Sequence, residues 1–183
     1  MSINNGSVAA IQNAIRNIPD FPKPGIQFKD ITPVLADSRL FAGCIDLLID
    51  GFKPGEVDTV VGIDARGFIF AAAAALRLNA GFVPVRKKGK LPFDTHEQSY
   101  ELEYGSNTIA IHTDAVKPGS RVLLIDDLLA TGGTALAAAR LVRRAGGEIV
   151  GARFVIDLPE LGGGRALAEA GIEARSLFEF EGV

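Results

Sequence analysis

The chain has no tryptophan, one cysteine, one methionine and two histidines among its 183 residues. A lone thiol, Cys44, cannot form an internal disulfide. Its place in the apolar pattern "LFAGCIDLLI" reads as a buried core thiol rather than a nucleophile. One cysteine and two histidines also cannot assemble a zinc centre of the usual kind. Long hydrophobic runs are missing: "FIFAAAAAL", residues 68–76, falls far short of the ~20 residues a membrane span needs. The first residues show no basic segment followed by an apolar run, so they do not read as a secretory signal. Acidic residues outnumber basic ones only slightly, 22 to 19. The formal net charge of −3 argues against general binding to nucleic acid or to an anionic membrane. These absences together predict a soluble protein in a reducing, cytoplasmic setting.

What is present suits one globular domain, residues 1–183, with 48 % hydrophobic and 22 % charged residues. Residues 7–17 read as a short helix ended by Pro19. The segment 19–33, "PDFPKPGIQFKDITP", carries four prolines and a glycine, so it is neither an interior helix nor a central strand. Helical spacing follows over 38–52. Buried strands are expected at 57–63, 81–86, 121–125 and 148–157, and a half-exposed one at 107–112. Helices are expected at 67–78, 132–145 and 164–170. Strands alternating with helices predict an α/β fold: an open, mostly parallel, twisted sheet with helices on both faces. Residues 87–106 are polar and contain Gly89, Pro92 and Gly105. A stretch of that length reads as a hairpin arm or a lid. The alanine run 71–75 reads as a tight helix–sheet contact.

Chemistry concentrates in "VLLIDDLLATGGTALAAARLVRRAGG", residues 122–147. An apolar strand ends in two carboxylates, Asp126 and Asp127, and a Gly-rich turn leads into a helix. Ligands of open parallel sheets bind beyond the carboxyl ends of the strands. Gly132 and Gly133 allow close backbone approach and positive φ. Free N–H groups of the first helical turn, with the helix dipole, favour an anion. Ala130 belongs to the same turn, and Thr131 and Thr134 add hydroxyl donors. Two acids beside a phosphate must face something neutral or cationic, and the vicinal hydroxyls of a ribose suit them. A sugar 5′-phosphate meets both demands. No Lys-Ser/Thr follows the glycines, so this is not a Walker A loop, and no GxGxxG occurs.

The string "VLLIDDLLATGGTALAAA" resembles the phosphoribosyl-pyrophosphate motif of the type I phosphoribosyltransferases. "IPDFPKPGIQFKDITPVL" (18–35), "GIDARGFIF" (62–70), "GFVPVRKKGKLP" (81–92) and "YELEYG" (100–105) narrow the resemblance to the adenine phosphoribosyltransferases, over about residues 11–178. Lys29 stands where an arginine is common in that family, and the tail 179–183 has no counterpart.

The resemblance implies purine salvage: transfer of the 5-phosphoribosyl group from phosphoribosyl pyrophosphate to adenine, giving AMP and pyrophosphate. It implies a small base-binding hood over 19–33 and a flexible arm over 87–106. Mg²⁺ is the implied cofactor, carried by substrate phosphates rather than by a protein cage. The implied partners are adenine and phosphoribosyl pyrophosphate, with a second copy of the chain in a homodimer, and neither nucleic acid nor membrane. Arg66 in the turn "DARG" is expected to hold the diphosphate and to help catalysis, because developing negative charge needs a cation there. Arg86, Lys87, Lys90 and Tyr104 are further expected contacts to phosphoribosyl pyrophosphate. Glu103 is the implied catalytic acid or base at the purine, with Glu101 its rival two residues earlier. Phe28 and Leu158 are the implied walls of the base slot, with backbone groups around Gln27 and Lys29 reading the base edge. Two other readings fit the phosphate motif: a phosphoribosyltransferase for another base, such as xanthine or orotate, and a ligand-sensing regulator on the same fold. The regulator would need a DNA-binding segment and a basic face.

Overall fold

The computed structural model describes residues 5–101 and 106–181. Helix α1 (Asn5–Ala14) leads into a ribbon of two short antiparallel strands, β1 (Arg16–Pro19) and β2 (Gln27–Asp30). Two helices follow, α2 (Thr32–Ala36) and α3 (Ser38–Leu48). Asp37 caps α3: its Oδ1 accepts the N–H groups of Arg39 at 2.8 Å and Leu40 at 3.1 Å. Next come β3 (Thr59–Ile63), α4 (Gly67–Leu78), β4 (Gly81–Lys87), β5 (Thr95–Glu101), β6 (Ser106–His112) and β7 (Arg121–Leu129). Helix α5 (Gly133–Arg144), β8 (Glu148–Asp157), a 3₁₀ turn (Pro159–Leu161), α6 (Gly163–Glu169) and β9 (Ala174–Glu179) complete the chain.

Seven strands form one twisted sheet in the order β5-β6-β4-β3-β7-β8-β9. The pairs β3/β4, β3/β7, β7/β8 and β8/β9 are parallel, whereas β4/β6 and β5/β6 are antiparallel. Both faces are covered. One carries α1, α3 and α4 over Val60, Leu123, Ile125 and Val155. The other carries α5, whose Ala135, Ala138, Leu141 and Val142 pack on Val61, Val83, Val122 and Leu124. Small side chains bring α4 close to the sheet: a Cβ on Gly62 would stand 2.7 Å from that of Ala71. Cys44 is fully buried in the α3 side of this core, and burial pushes its thiol up to about 12. No helix among the described residues is long and apolar enough to cross a membrane.

Several elements depart from the sequence reading. The helix expected over 7–17 ends at Ala14, because Arg16–Pro19 pairs as β1 with β2 instead, and neither β2 nor α2 belongs to that reading. Strand β7 does not stop at Ile125. It stays paired with β8 through Asp126↔Phe154, Leu128↔Ile156 and Leu129↔Asp157, although its pairing with β3 ends at Ile125. The acid pair therefore sits inside a strand, at the point where one neighbour stops and the other continues. Strand β5 occupies part of the polar stretch 87–106, because Thr95–Glu101 finds a full antiparallel partner in β6. Strand β9 has no alternating pattern strong enough to announce it. Parallel pairing to β8 creates it.

The chain order fixes where a ligand can sit. From β3 it crosses to β4 on one side, then returns through β7 on the other. The carboxyl ends of β3 and β7 thus flank a topological switch point, where the sheet opens a crevice.

Candidate active site

Two cavities meet at this switch point. The first, about 260 Å³, is lined by the turn after β3 (Asp64, Ala65, Arg66), by Asp126 and Asp127, by the loop Ala130–Thr134, and by Tyr100 of β5. The second, about 100 Å³, is lined by Ile26, Gln27, Phe28 and Lys29 of the ribbon and by Leu128, Ile156 and Leu158. Arg66, Asp127 and Leu128 belong to both.

The loop of the first cavity is shaped for an anion. Gly132 takes the left-handed conformation, φ 83°, and no side chain caps α5. The N–H groups of the first turn are thereby left to a ligand, at the positive end of the helix dipole. Gly133 serves differently from expectation, since its φ is not positive. Tyr100 lies over it: a Cβ there would stand 3.3 Å from the Tyr100 ring, a tight contact. From behind, Gly163 supports the loop, with its N–H donating to the Ala130 carbonyl at 3.0 Å.

The acids differ from one another. Arg66 Nε lies 2.8 Å from Asp127 Oδ2, and the Arg66 guanidinium also stands 5.3 Å from the centre of the Phe28 ring. Asp127 is only 7 % exposed, so the ion pair compensates a carboxylate removed from water. Asp126 is held by the backbone instead. Its Oδ1 accepts the Asp127 N–H at 2.9 Å and presses against Gly67, where a Cβ would stand at 2.6 Å. Burial, then the charge of Asp127, pushes the Asp126 carboxyl well above the usual range. The two adjacent carboxyls, one ion-paired and one held by the backbone, offer acceptors to adjacent hydroxyls of one sugar.

The second cavity has a largely apolar lining in which Phe28, Leu158 and Ile156 take part. Phe21 packs edge-on to Phe28 with ring centres 5.1 Å apart, which fixes the tilt of that ring. A flat heteroaromatic ring fits such a slot, with its attacking edge toward Asp127 and the first cavity.

Sequence and structure comparisons agree with this chemistry. Residues 30–163 match the family model described as a phosphoribosyl transferase domain. An adenine phosphoribosyltransferase of Methylorubrum extorquens is 55 % identical over 174 residues, covering 95 % of this chain and 96 % of its own. The chain belongs to the adenine phosphoribosyltransferase family. Among solved structures, the adenine phosphoribosyltransferase of Rhodothermus marinus superposes with a TM-score of 0.91 at 51 % identity, covering 97 % of this chain and all of that one. The Saccharomyces cerevisiae enzyme, solved with adenine and an imino-altritol bisphosphate, gives 0.88 at 36 % identity, over 96 % of this chain and 100 % of its own.

Set beside the residues expected from the family, the structure gathers Arg66, Asp126, Asp127, Ala130, Thr131, Gly132, Gly133 and Thr134 around one cavity, and Gln27, Phe28, Lys29 and Leu158 around the other. The basic residues are less gathered. Arg86 reaches the rim through Asp64, Nε to Oδ2 3.0 Å, and donates to the Lys90 carbonyl at 3.1 Å. Lys87 and Lys90 are exposed and line neither cavity. Glu103 and Tyr104 lie outside the described residues; Glu101 ends β5 with an exposed side chain. Sequence reasoning missed Asp64, Tyr100, Ile26, Leu128 and Ile156. Tyr100 left a signal, as one of three aromatic residues in the arm with Phe93 and Tyr104.

Proposed function

We propose that this protein transfers the 5-phosphoribosyl group of phosphoribosyl pyrophosphate to adenine, releasing AMP and pyrophosphate in purine salvage. The observation that supports it best is the junction at Asp127, which joins an anion-binding loop to an apolar slot for a flat base. The 5′-phosphate sits on the α5 N-terminus and the Thr131 and Thr134 hydroxyls. The 2′- and 3′-hydroxyls donate to Asp126 and Asp127. As the C1–O bond breaks, its electron pair leaves with the diphosphate, and N9 of adenine bonds to C1. Arg66 and Arg86 receive the growing negative charge. Glu103 takes or shares the N9 proton.

Mg²⁺ fits this site as a passenger on substrate oxygens. The described residues contain no cluster of three or more His, Cys, Asp or Glu able to cage a metal. The carboxylates lining the first cavity are Asp64, which is paired with Arg86, and Asp126 and Asp127, which suit a magnesium–phosphate complex without enclosing one. Bound there, the ion would neutralise diphosphate charge.

Base choice rests on backbone groups around Gln27 and Lys29. Adenine donates at N6 and accepts at N1, and hypoxanthine and guanine reverse that pattern. Each mismatch leaves a polar pair unmade, at about 1–3 kcal/mol. The working form is a homodimer in the cytoplasm. An exposed apolar face of Ile69, Leu76 and Phe82 on α4 and β4 supports the dimer, and the unoxidised buried Cys44 suits a reducing compartment.

Incubation with phosphoribosyl pyrophosphate, Mg²⁺ and each of adenine, hypoxanthine, guanine, xanthine and orotate tests this reading. AMP from adenine alone is expected. Equal turnover of guanine or hypoxanthine would overturn the base assignment, and orotate or xanthine products would move the protein to another branch of the superfamily.

A further inference from the structure

The β1/β2 ribbon carries one wall of the base slot, yet it pairs with no other strand among the described residues. A two-stranded ribbon is marginal by itself and needs other ties to hold its place. One tie is polar and lies on the ribbon face that carries Asn17. Asn17 stands directly opposite Lys29 in the register, and Gln27 is its diagonal neighbour, opposite Pro19. The Lys29 ammonium donates to Asn17 Oδ1 at 2.9 Å, and Asn17 Nδ2 donates to Gln27 Oε1 at 2.7 Å. The orientation is unambiguous, because an ammonium can only donate. It must meet the Asn17 oxygen, so the Asn17 amide nitrogen must meet the Gln27 oxygen. The same ammonium stands 5.1 Å from the centre of the Phe180 ring, which follows β9. The chain from Gln27 through Asn17 and Lys29 to Phe180 thus ties β2 to the C-terminal segment.

We propose that Asn17 is a positioning residue for the base: by bonding Gln27 and Lys29 at once, it holds the β2 backbone at the distance the incoming 6-aminopurine requires. This rests on the assignment of the slot to adenine. Asn17 itself lines neither cavity, so it acts only through Gln27 and Lys29, which line the slot. The ribbon lines the slot but not the phosphate cavity, so the effect is confined to one substrate. Because these bonds are solvent-exposed, the effect is modest.

The test compares Asn17→Ala, Gln27→Ala and their double variant with the parent in steady-state kinetics. Asn17→Ala should raise KM for adenine roughly three- to tenfold, the range for the net loss of a hydrogen bond or two. KM for phosphoribosyl pyrophosphate and the melting temperature should barely move. The double variant should be little worse than the worse single one. Asn17→Asp keeps the acceptor for Lys29 and loses the donor to Gln27, so it should fall between parent and Ala. An unchanged adenine KM in Asn17→Ala overturns the proposal. So does an equal rise in both KM values, which marks a general structural role, or full additivity with Gln27→Ala. A parent protein that makes no AMP from adenine is a different result: it removes the assignment of the slot itself.

Discussion

Gly67 and Asp126 are in contact so close that the glycine has no room for a side chain. A Cβ on Gly67 would stand 2.6 Å from Asp126 Oδ1 and 3.0 Å from the Ile125 carbonyl. The first residue of α4 thereby sets where the Asp126 carboxyl can lie. Gly67→Ala must displace either the carboxyl or the start of the helix that follows the Arg66 turn. Overpacking of this kind costs about 1–3 kcal/mol of stability. Misplacing a substrate-positioning group by about 1 Å can cost ~10²-fold. The expected outcome is a folded protein whose kcat/KM for phosphoribosyl pyrophosphate falls at least roughly tenfold. A variant with parent kinetics would show that the contact does not position Asp126.

Asp126 stores instability that the site needs. Its carboxyl titrates higher in the folded chain than in the unfolded one, because it is buried and lies beside Asp127. The folded state then holds more protons once the pH passes the unfolded carboxyl range. Stability therefore falls as pH rises from that range through the titration of the folded group. Asp126→Asn retains an acceptor for the Asp127 N–H and removes the ionisation. It should melt higher than the parent at pH 7, by a few degrees, since ~1 kcal/mol is worth about 2–4 °C in a chain of this size. The gain should shrink in acid, and activity should be lost. Asp127→Asn should behave in the opposite way. It strips the partner from Arg66 and should weaken transition-state binding by roughly 1.5–3 kcal/mol, with no gain in stability. Calorimetric melts from pH 4 to 8 and kinetics of both variants decide the matter.

Glu103 and Glu101 can be separated by paired substitutions. Glu103→Gln keeps the size and removes the ionisable group. If it handles the purine proton, kcat should drop by about 10²–10⁴-fold, with a smaller change in KM for phosphoribosyl pyrophosphate. Glu101→Gln, at the exposed end of β5, should retain most of kcat. The reverse ranking would transfer the role to Glu101.

The exposed apolar face on α4 and β4 predicts an association that one substitution can break. Leu76 is 85 % exposed, Ile69 40 % and Phe82 38 %, apolar surface of the kind the proposed second copy would cover. Leu76→Glu should shift the sedimenting species from dimer toward monomer at micromolar concentration. An unaltered dimer would place the interface elsewhere.

Much of the fold is legible in the order of residues alone. The apolar runs 57–63 and 148–157 and the helix 67–78 declare themselves through buried, β-branched strands and a 3.6-residue period. They form β3, β8 and α4 within two residues at each end. The phosphate loop is equally legible, because glycine before a helix start is a local requirement of the backbone, and Gly132 meets it with a positive φ. Three features are hidden for one reason: their cause lies in a distant partner. Strand β7 runs past its apolar segment because β8 continues beside it. Gly133 lies under Tyr100, from the arm. The ribbon strands β1 and β2, in a segment rich in proline, exist because each pairs with the other.

The amino-acid sequence alone determined the α/β architecture, the anion-binding loop, the acid pair and the membership of a family, since each depends on residues close together in the chain. Only the tertiary structure decided that Arg66 pairs with Asp127 while leaning on Phe28, that the Asp126 carboxyl is the one pushed above the usual range, and that Phe28 and Leu158 line one slot. Those are distances between segments remote in sequence. Spacing along a chain fixes local conformation, but the depth of a carboxylate, the partner of a cation and the width of a slot follow from how the packed layers meet.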